Sequence, residues 1–365
     1  MVKKRIHGGT MMTIRSLNKL LLTVATASML MAGCQSGDTA APTAPVQKGE
    51  TPAPVDQPVT AQPASYISPL TGESLDAPMQ NRPLAVMINN APAARPQSGL
   101  LSADIVYEVL AEGGITRLVA IYQSAENAAK IGPVRSIRPY LIDLGESYHG
   151  VLVHAGGSTD AYALIQSLHK EDLDEISNAG AYFWRDKSRK APHNLYSSGD
   201  KLIAGAKKRG YTLQDSEVPA YTFRKEDEPA VGEPASKVEI KFLLDSYHVS
   251  YIYNAKTKLY ERFIGKKAHT DKDSGTQLTA ENVVILGADH QILDKVGRLS
   301  VDLSSGGKAI MLQRGKVIQG QWVRKKNDVI RFVKDGAEVP FYPGKTYFSI
   351  VPNSPSFDSH VTITK

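Results

Sequence analysis

Residues 131–140 and 151–157 limit how this chain can fold more than any other stretch. The first runs Ile131, Gly132, Pro133, Val134, Arg135, Ser136, Ile137, Arg138, Pro139 and Tyr140, and the second ends in His154, Ala155, Gly156 and Gly157. Two arginines three apart, beside two prolines and a glycine, cannot make a core strand, because proline withholds a ladder donor. Yet the neighbouring runs are among the most apolar in the chain. Cations set there are expected to meet something specific, since a guanidinium is almost never fully buried unpaired.

The apolar runs predict the strands. Residues 84–88 are continuously apolar and end in Asn89 and Asn90, which reads as a buried strand delivering two amides at its C-terminal end. In residues 105–110, Ile105, Tyr107 and Val109 share one face while Glu108 sits between two apolar residues on the other, so Glu108 is expected to be half-buried. Ala111, Glu112, Gly113 and Gly114 supply a turn, residues 118–122 return, and the two runs should form a hairpin. Pro139 opens a helix to residue 148, at a position where its missing N–H costs nothing, and Gly150 ends it. Residues 151–154 are a fourth strand, and Ser158 or Thr159 caps a helix through residue 168. An aromatic segment around Tyr182, Phe183 and Trp184 follows, then Ser197 or Ser198 caps a last helix that Gly210 stops. Strands and helices mix without strict alternation, which predicts an α+β fold with a mixed sheet and helices layered on it.

The first residues say where the protein works. Lys3, Lys4, Arg5, Arg15 and Lys19 precede an apolar run at 20–31, then Ala32, Gly33 and the single cysteine, Cys34, with no acidic residue before it. This is a secretory signal, too short to span a bilayer as a mature helix, with Met11 or Met12 as alternative starts to Met1. Residues 31–34 resemble a bacterial lipobox, in which the cysteine is acylated and becomes the new N-terminus; the alternative is an ordinary signal peptide with an incidental cysteine. Without those five cations, the 43 Lys and Arg come close to balancing the 37 Asp and Glu, so no basic stripe for a phosphate backbone is implied and no nucleic-acid partner is expected. Residues 35–65 are Pro, Ala, Thr, Gln and Gly with almost no large apolar side chain, a composition that stays disordered and serves as a tether.

With 365 residues the chain has room for two domains. The expected division is a signal at 1–34, tether at 35–65, first domain at 66–223, a charged Pro- and Gly-containing linker at 224–237, and a mostly β domain at 238–365, whose short β-type runs are separated by turns. The segments 82–90, 95–99, 103–108, 112–117, 131–136 and 191–194 together resemble the YerB-like bacterial lipoproteins. That resemblance spans the folded part. It implies a lipid-anchored extracytoplasmic protein of two domains, the first a three-layer sandwich of two sheets and helices, and it implies no reaction.

Asn89, Asn90, Arg95, Arg117, Arg135, Arg138, His154, Arg189, His193 and Asn194 all fall at strand ends or in adjoining Gly/Pro loops, where a rigid scaffold builds sites. The expected site is a polar cleft whose guanidinium forks hold an anion, lined also by Glu108 and Glu112. Against it stands a set of structural Arg–Glu pairs. Catalysis has less to draw on: Ser136 lacks a nucleophile elbow, no cysteine nucleophile exists, and His154 and His193 belong to no zinc motif. Glu108 and Glu112, with His154, are the candidates for glycan-directed acid/base work. Residues 271–275 resemble a calcium loop faintly, and a solvated turn suits them better. No metal and no cofactor are expected. The reading is a binding or scaffold lipoprotein of the cell envelope, tied to the membrane through Cys34, with a glycan or protein of the envelope as partner and an envelope hydrolase as the rival. Replacing Cys34 by Ala should release the protein from the membrane fraction with its body still folded, because two acyl chains on one residue are what hold it; unchanged retention on a fractionation blot would require a different anchor.

Overall fold

Every position of the strand Leu84–Asn89 (β1) is buried, the apolar run 84–88 and the polar Asn89 at its end alike. The computed structural model describes residues 66–365; the expected signal, Cys34 and the tether lie outside the described residues. Ile105–Leu110 (β2) and Thr116–Tyr122 (β3) form the expected antiparallel hairpin, with Glu108 opposite Leu118, and β3 pairs on its other side with β1. Val151–His154 (β4) joins β1 in parallel, and Asp172–Asp174 (β5) joins β4. Three helices accompany them: Pro139–Glu146 (α1), Thr159–Ser167 (α2) and Gly199–Lys208 (α3). Ser158 caps α2 by accepting from the Ala161 N–H at 3.3 Å, and Ser198 caps α3 through Lys201.

The second half is built almost wholly of strands. Lys237–Lys241 (β6), His248–Asn254 (β7) and Leu259–Ile264 (β8) form an antiparallel sheet, closed on the far side of β6 by Val361–Thr364, which is β14. Asn282–Ala288 (β9), Gly307–Gln313 (β10), Lys316–Val323 (β11), Arg331–Lys334 (β12) and Thr346–Pro352 (β13) do not form a sheet of their own. Instead β13 pairs in parallel with β9 on one side and with β2 on the other. One twelve-stranded sheet results, in the order β12-β11-β10-β9-β13-β2-β3-β1-β4-β5, with short strands beside β11 and β12.

The expected sandwich is present, but both halves of the sequence share it. Leu84, Val86, Ile88, Val106 and Leu118 pack on one face of the large sheet against Leu202 and Ala206 of α3 and against Val238, Ile240, Tyr251 and Tyr260 of the small sheet. Ala85, Met87, Tyr107, Val119 and Ile121 pack on the other face under Leu141, Leu144 and Tyr148. The three layers are thus α1 and α2, the large sheet, and the small sheet with α3. The small sheet of the sandwich comes from the second half, residues 237–268 and 361–364.

Residues 131–137 follow the path their composition demanded. Beyond Val86 and Val153, where β1 and β4 stop pairing, the segment enters between them: the Asn89 N–H donates to Pro133 O at 2.8 Å, Arg135 N–H to Met87 O at 2.8 Å, and Ala155 N–H to Arg135 O at 3.1 Å. Backbone is satisfied on both sides while Arg135 and Arg138 are delivered to the strand ends.

Residues 225–229 and 231–234 of the expected linker are exposed. Proteolysis there should nick the chain without parting it, because the β13–β2 pairing ties the pieces into one sheet. The two fragments are expected to co-elute on native size exclusion and to separate only in denaturant; separation under native conditions would contradict the shared sheet.

Candidate functional site

The candidate residues divide between the two faces of the β2–β3 hairpin, because alternate side chains of a strand point to opposite sides. Glu108 and Thr116 point toward the small sheet. Glu108 is not half-buried but fully enclosed, at 1 % exposure, and its partner is Arg262 of β8, equally enclosed, with Nη2 at 2.5 Å from Oε2. Its other oxygen, Oε1, accepts from the Tyr247 hydroxyl at 2.5 Å, the Thr116 hydroxyl at 2.6 Å and the Asn90 amide at 3.0 Å.

The network continues through Arg262. Its guanidinium donates to the Tyr251 hydroxyl and, through Nε at 2.9 Å, to His269 Nδ1. His269 is therefore the Nε2–H tautomer, and that nitrogen donates to Gln97 Oε1 at 2.7 Å; burial, together with Arg262 and Arg95, holds its pKa well below the usual histidine value. Gln97 returns two bonds to the end of β1, to Asn90 Oδ1 at 2.8 Å and Asn89 O at 3.0 Å. Beside it Asp271 accepts from the Gly99 N–H at 2.7 Å while turning residues 271–274. The turn is solvated as expected over residues 273–276, while Asp271 at its start is packed on the first half at 5 % exposure, and among the described residues no group of three or more His, Cys, Asp or Glu could hold a metal ion.

Arg117 points the other way, toward α1. Glu112, on the turn, pairs with Arg138 and lies 3.5 Å from Arg117 Nη2. Arg117 is 5 % exposed, and its Nε and Nη1 are buried without a partner among the described residues. Burial, with Arg135 and Arg138 nearby, pushes its pKa down to about 10 in spite of Glu112. Arg135, half-buried, is likewise held below the ordinary arginine value by burial and Arg138. Three guanidinium groups therefore share one carboxylate at the N-terminal end of α1, where Arg138 is the cap residue and the first turn holds no acidic side chain. Asn89 Nδ2 lies 2.9 Å from His193 Nδ1, which leaves the ring Nε2–H as a donor; burial, Arg135 and Arg189 depress the imidazole pKa.

The remaining candidates are structural or stand elsewhere. Arg189 pins the loop after β1 through Ala94 O, at 2.7 Å, and Pro96 O, at 2.6 Å, and Asn194 holds the 186–189 turn through backbone carbonyls. His154 is completely buried beside Asp172 and Asp174, which β5 supplies, and its Nδ1 contacts Gly156 O at 3.0 Å. Its Nε2 is 3.2 Å from Asp172 Oδ2 but too far out of line for a hydrogen bond. Arg95 lies over the Tyr247 ring, 4.9 Å from its centre. The expected acid/base set of Glu108, Glu112 and His154 does not assemble: Glu108 is consumed by Arg262, Glu112 faces the opposite side of the sheet, and His154 is enclosed with its own carboxylates.

Comparison with known proteins agrees with this architecture. The family models for the N-terminal and C-terminal domains of the protein of unknown function DUF3048 match residues 70–212 and 238–348. The Bacillus subtilis (strain 168) protein named "Putative lipoprotein YerB" is 38% identical over 287 residues, covering 78% of this chain and 86% of that protein. The chain belongs to the DUF3048 family. A crystal structure of the YerB protein from Bacillus subtilis superposes with a TM-score of 0.74 at 37% identity, over 82% of this chain and 99% of that one. In this family member the two domains meet through the Glu108–Arg262 pair, and the pair can be tested for coupling. Glu108→Gln and Arg262→Met should each lower unfolding free energy by about 3–5 kcal/mol, since each leaves an enclosed charge or donor unpaired, and the double variant should cost clearly less than the two together. Additive losses in denaturant titrations would contradict the pairing.

Proposed function

We propose that this DUF3048 protein is a lipid-anchored binding or scaffold protein of the cell envelope, which uses the Arg117, Arg135 and Arg138 cluster to hold an anionic group of an envelope component. The observation that carries this reading is Arg117: a nearly enclosed guanidinium with two nitrogens unpartnered, beside two more arginines and only one carboxylate. Structural arginines in enclosed positions normally have their donors filled. An anion supplies the missing acceptors, and charge-assisted bonds to a planar fork favour a carboxylate or a phosphate group. Anchoring through Cys34 is supported by the leader and by the name of the Bacillus relative.

The test uses inorganic phosphate as the probe, titrated against the protein at constant ionic strength with chloride as the balancing salt. A ligand that binds only the folded state raises its melting temperature in a saturable way. The parent protein is expected to show that rise, and Arg135→Met to lose most of it. The unliganded variant should melt close to the parent, because Glu112 keeps Arg138 and Arg117. An equal rise in parent and variant, or no rise in either, would sink the proposal.

A further inference from the structure

A second cation stands on the other side of the Glu112–Gly114 turn, in a different setting. Arg95 leaves β1 on the loop that the buried network holds in place through Gln97, and its guanidinium rests on the face of Tyr247. Its Nε is buried without a partner among the described residues. Two cavities meet at this side chain. One, of about 250 Å³, is lined largely by apolar groups, including Pro92, Gly113, Ile115, Leu244 and the Tyr247 ring. The other, of about 480 Å³, continues past Arg95 and Ser246 to Ile264, Lys267 and Thr270. No Asp or Glu lines either cavity among the described residues, while Arg95 lines both and Lys267 the larger.

The two walls of this groove come from different halves of the sequence. Residues 90–96 and 113–116 form one, and residues 244–247 and 264–270 the other. The floor is rigid, because the Tyr247 hydroxyl is fixed on Glu108 and His269 is fixed between Arg262 and Gln97. Leu244 and Ile115 remain partly exposed at 39% and 37%, an apolar surface left open beside a cation. Lys267 and Ala268 line the larger cavity and form a short strand at the edge of the small sheet, paired with β8 on one side only.

We infer that the groove is a peptide-binding site, taking a short extended segment whose carboxylate pairs with Arg95 and whose adjacent apolar side chain enters the cavity between Ile115 and Leu244. An arginine stacked on an aromatic ring keeps its fork oriented and only partly hydrated, which suits it to a carboxylate. An exposed strand edge offers main-chain bonds to an extended ligand, while the pocket beside it selects the side chain. The carboxylate can be an acidic side chain or a chain terminus. This site is separate from the arginine cluster around Glu112 and does not depend on it.

Three blocked or free short peptides distinguish the possibilities when titrated into the full chain and followed by calorimetry: acetyl-Ala-Asp-Leu-amide, acetyl-Ala-Asn-Leu-amide, and acetyl-Ala-Leu with a free C-terminus. The expected result is saturable binding of at least one carboxylate peptide and binding of the asparagine peptide weaker by about tenfold, the order lost with one charge-assisted bond. Whichever carboxylate peptide binds more tightly identifies the source. Arg95→Met should weaken binding by a similar factor, and Leu244→Ser, an exposed position that leaves the fold intact, should weaken it independently. Arg117→Met should leave peptide binding unchanged, which separates this site from the phosphate site. Binding of the asparagine peptide as tight as that of the better carboxylate peptide, no binding of any peptide, or binding indifferent to both Arg95→Met and Leu244→Ser would overturn the inference.

Discussion

The enclosed pair of Glu108 and Arg262 is the interaction on which the rest depends. Neither charge touches water, so each is tolerable only while the other is present. They belong to strands 154 positions apart, on different sheets and in different halves of the chain. A pair of this kind adds little to stability compared with apolar residues of the same volume, yet removing one member is expensive. Its effect here is to fix one alignment of the small sheet over the large one. Tyr247, Tyr251, His269, Gln97 and Asn90 complete that alignment by filling the remaining donors and acceptors.

The same pair explains why the opposite face stays cationic. Of the two glutamates near the β2–β3 turn, Glu108 is spent on the small-sheet side, which leaves only Glu112 for Arg117, Arg135 and Arg138. Neighbouring positions on one hairpin thus have opposite fates, one charge-balanced and closed, the other unbalanced with unfilled donors. The alternation of strand side chains keeps them apart although they are adjacent in sequence.

Much of the fold was legible in residue order, and what was not has a definite cause. The alternation in 105–110 correctly puts Glu108 opposite Tyr107 and Val109, but nothing local says that a second sheet covers that side as well. Arg262 carried a readable signal: in Leu259–Ile264 it shares a face with Tyr260, and that face is the buried one. An arginine between a glutamate and a phenylalanine looks like an ordinary solvated position until the partner strand is known. The gathering of Arg117, Arg135 and Arg138 was legible because strand ends and Gly/Pro loops announce themselves. Their separation from Glu108 was not, since it depends on which face each side chain takes, and that of His154 was not, since it depends on Asp172 and Asp174 of β5 enclosing it. The division at 224–237 was read from composition, and composition cannot reveal that β13 returns to pair with β2.

That return has a consequence for how the chain is completed. β2 pairs with β3 early in the sequence, but its other edge is filled only by Thr346–Pro352. A polypeptide emerging N-terminus first carries an apolar strand with one unsatisfied backbone edge through more than two hundred further residues. Such an edge is a template for wrong pairing with other chains, and contacts so distant in sequence form slowly. Any chain cut short before residue 346 lacks the central strand of its largest sheet, and both β2 and β9 are then left with the open edge that this last segment covers.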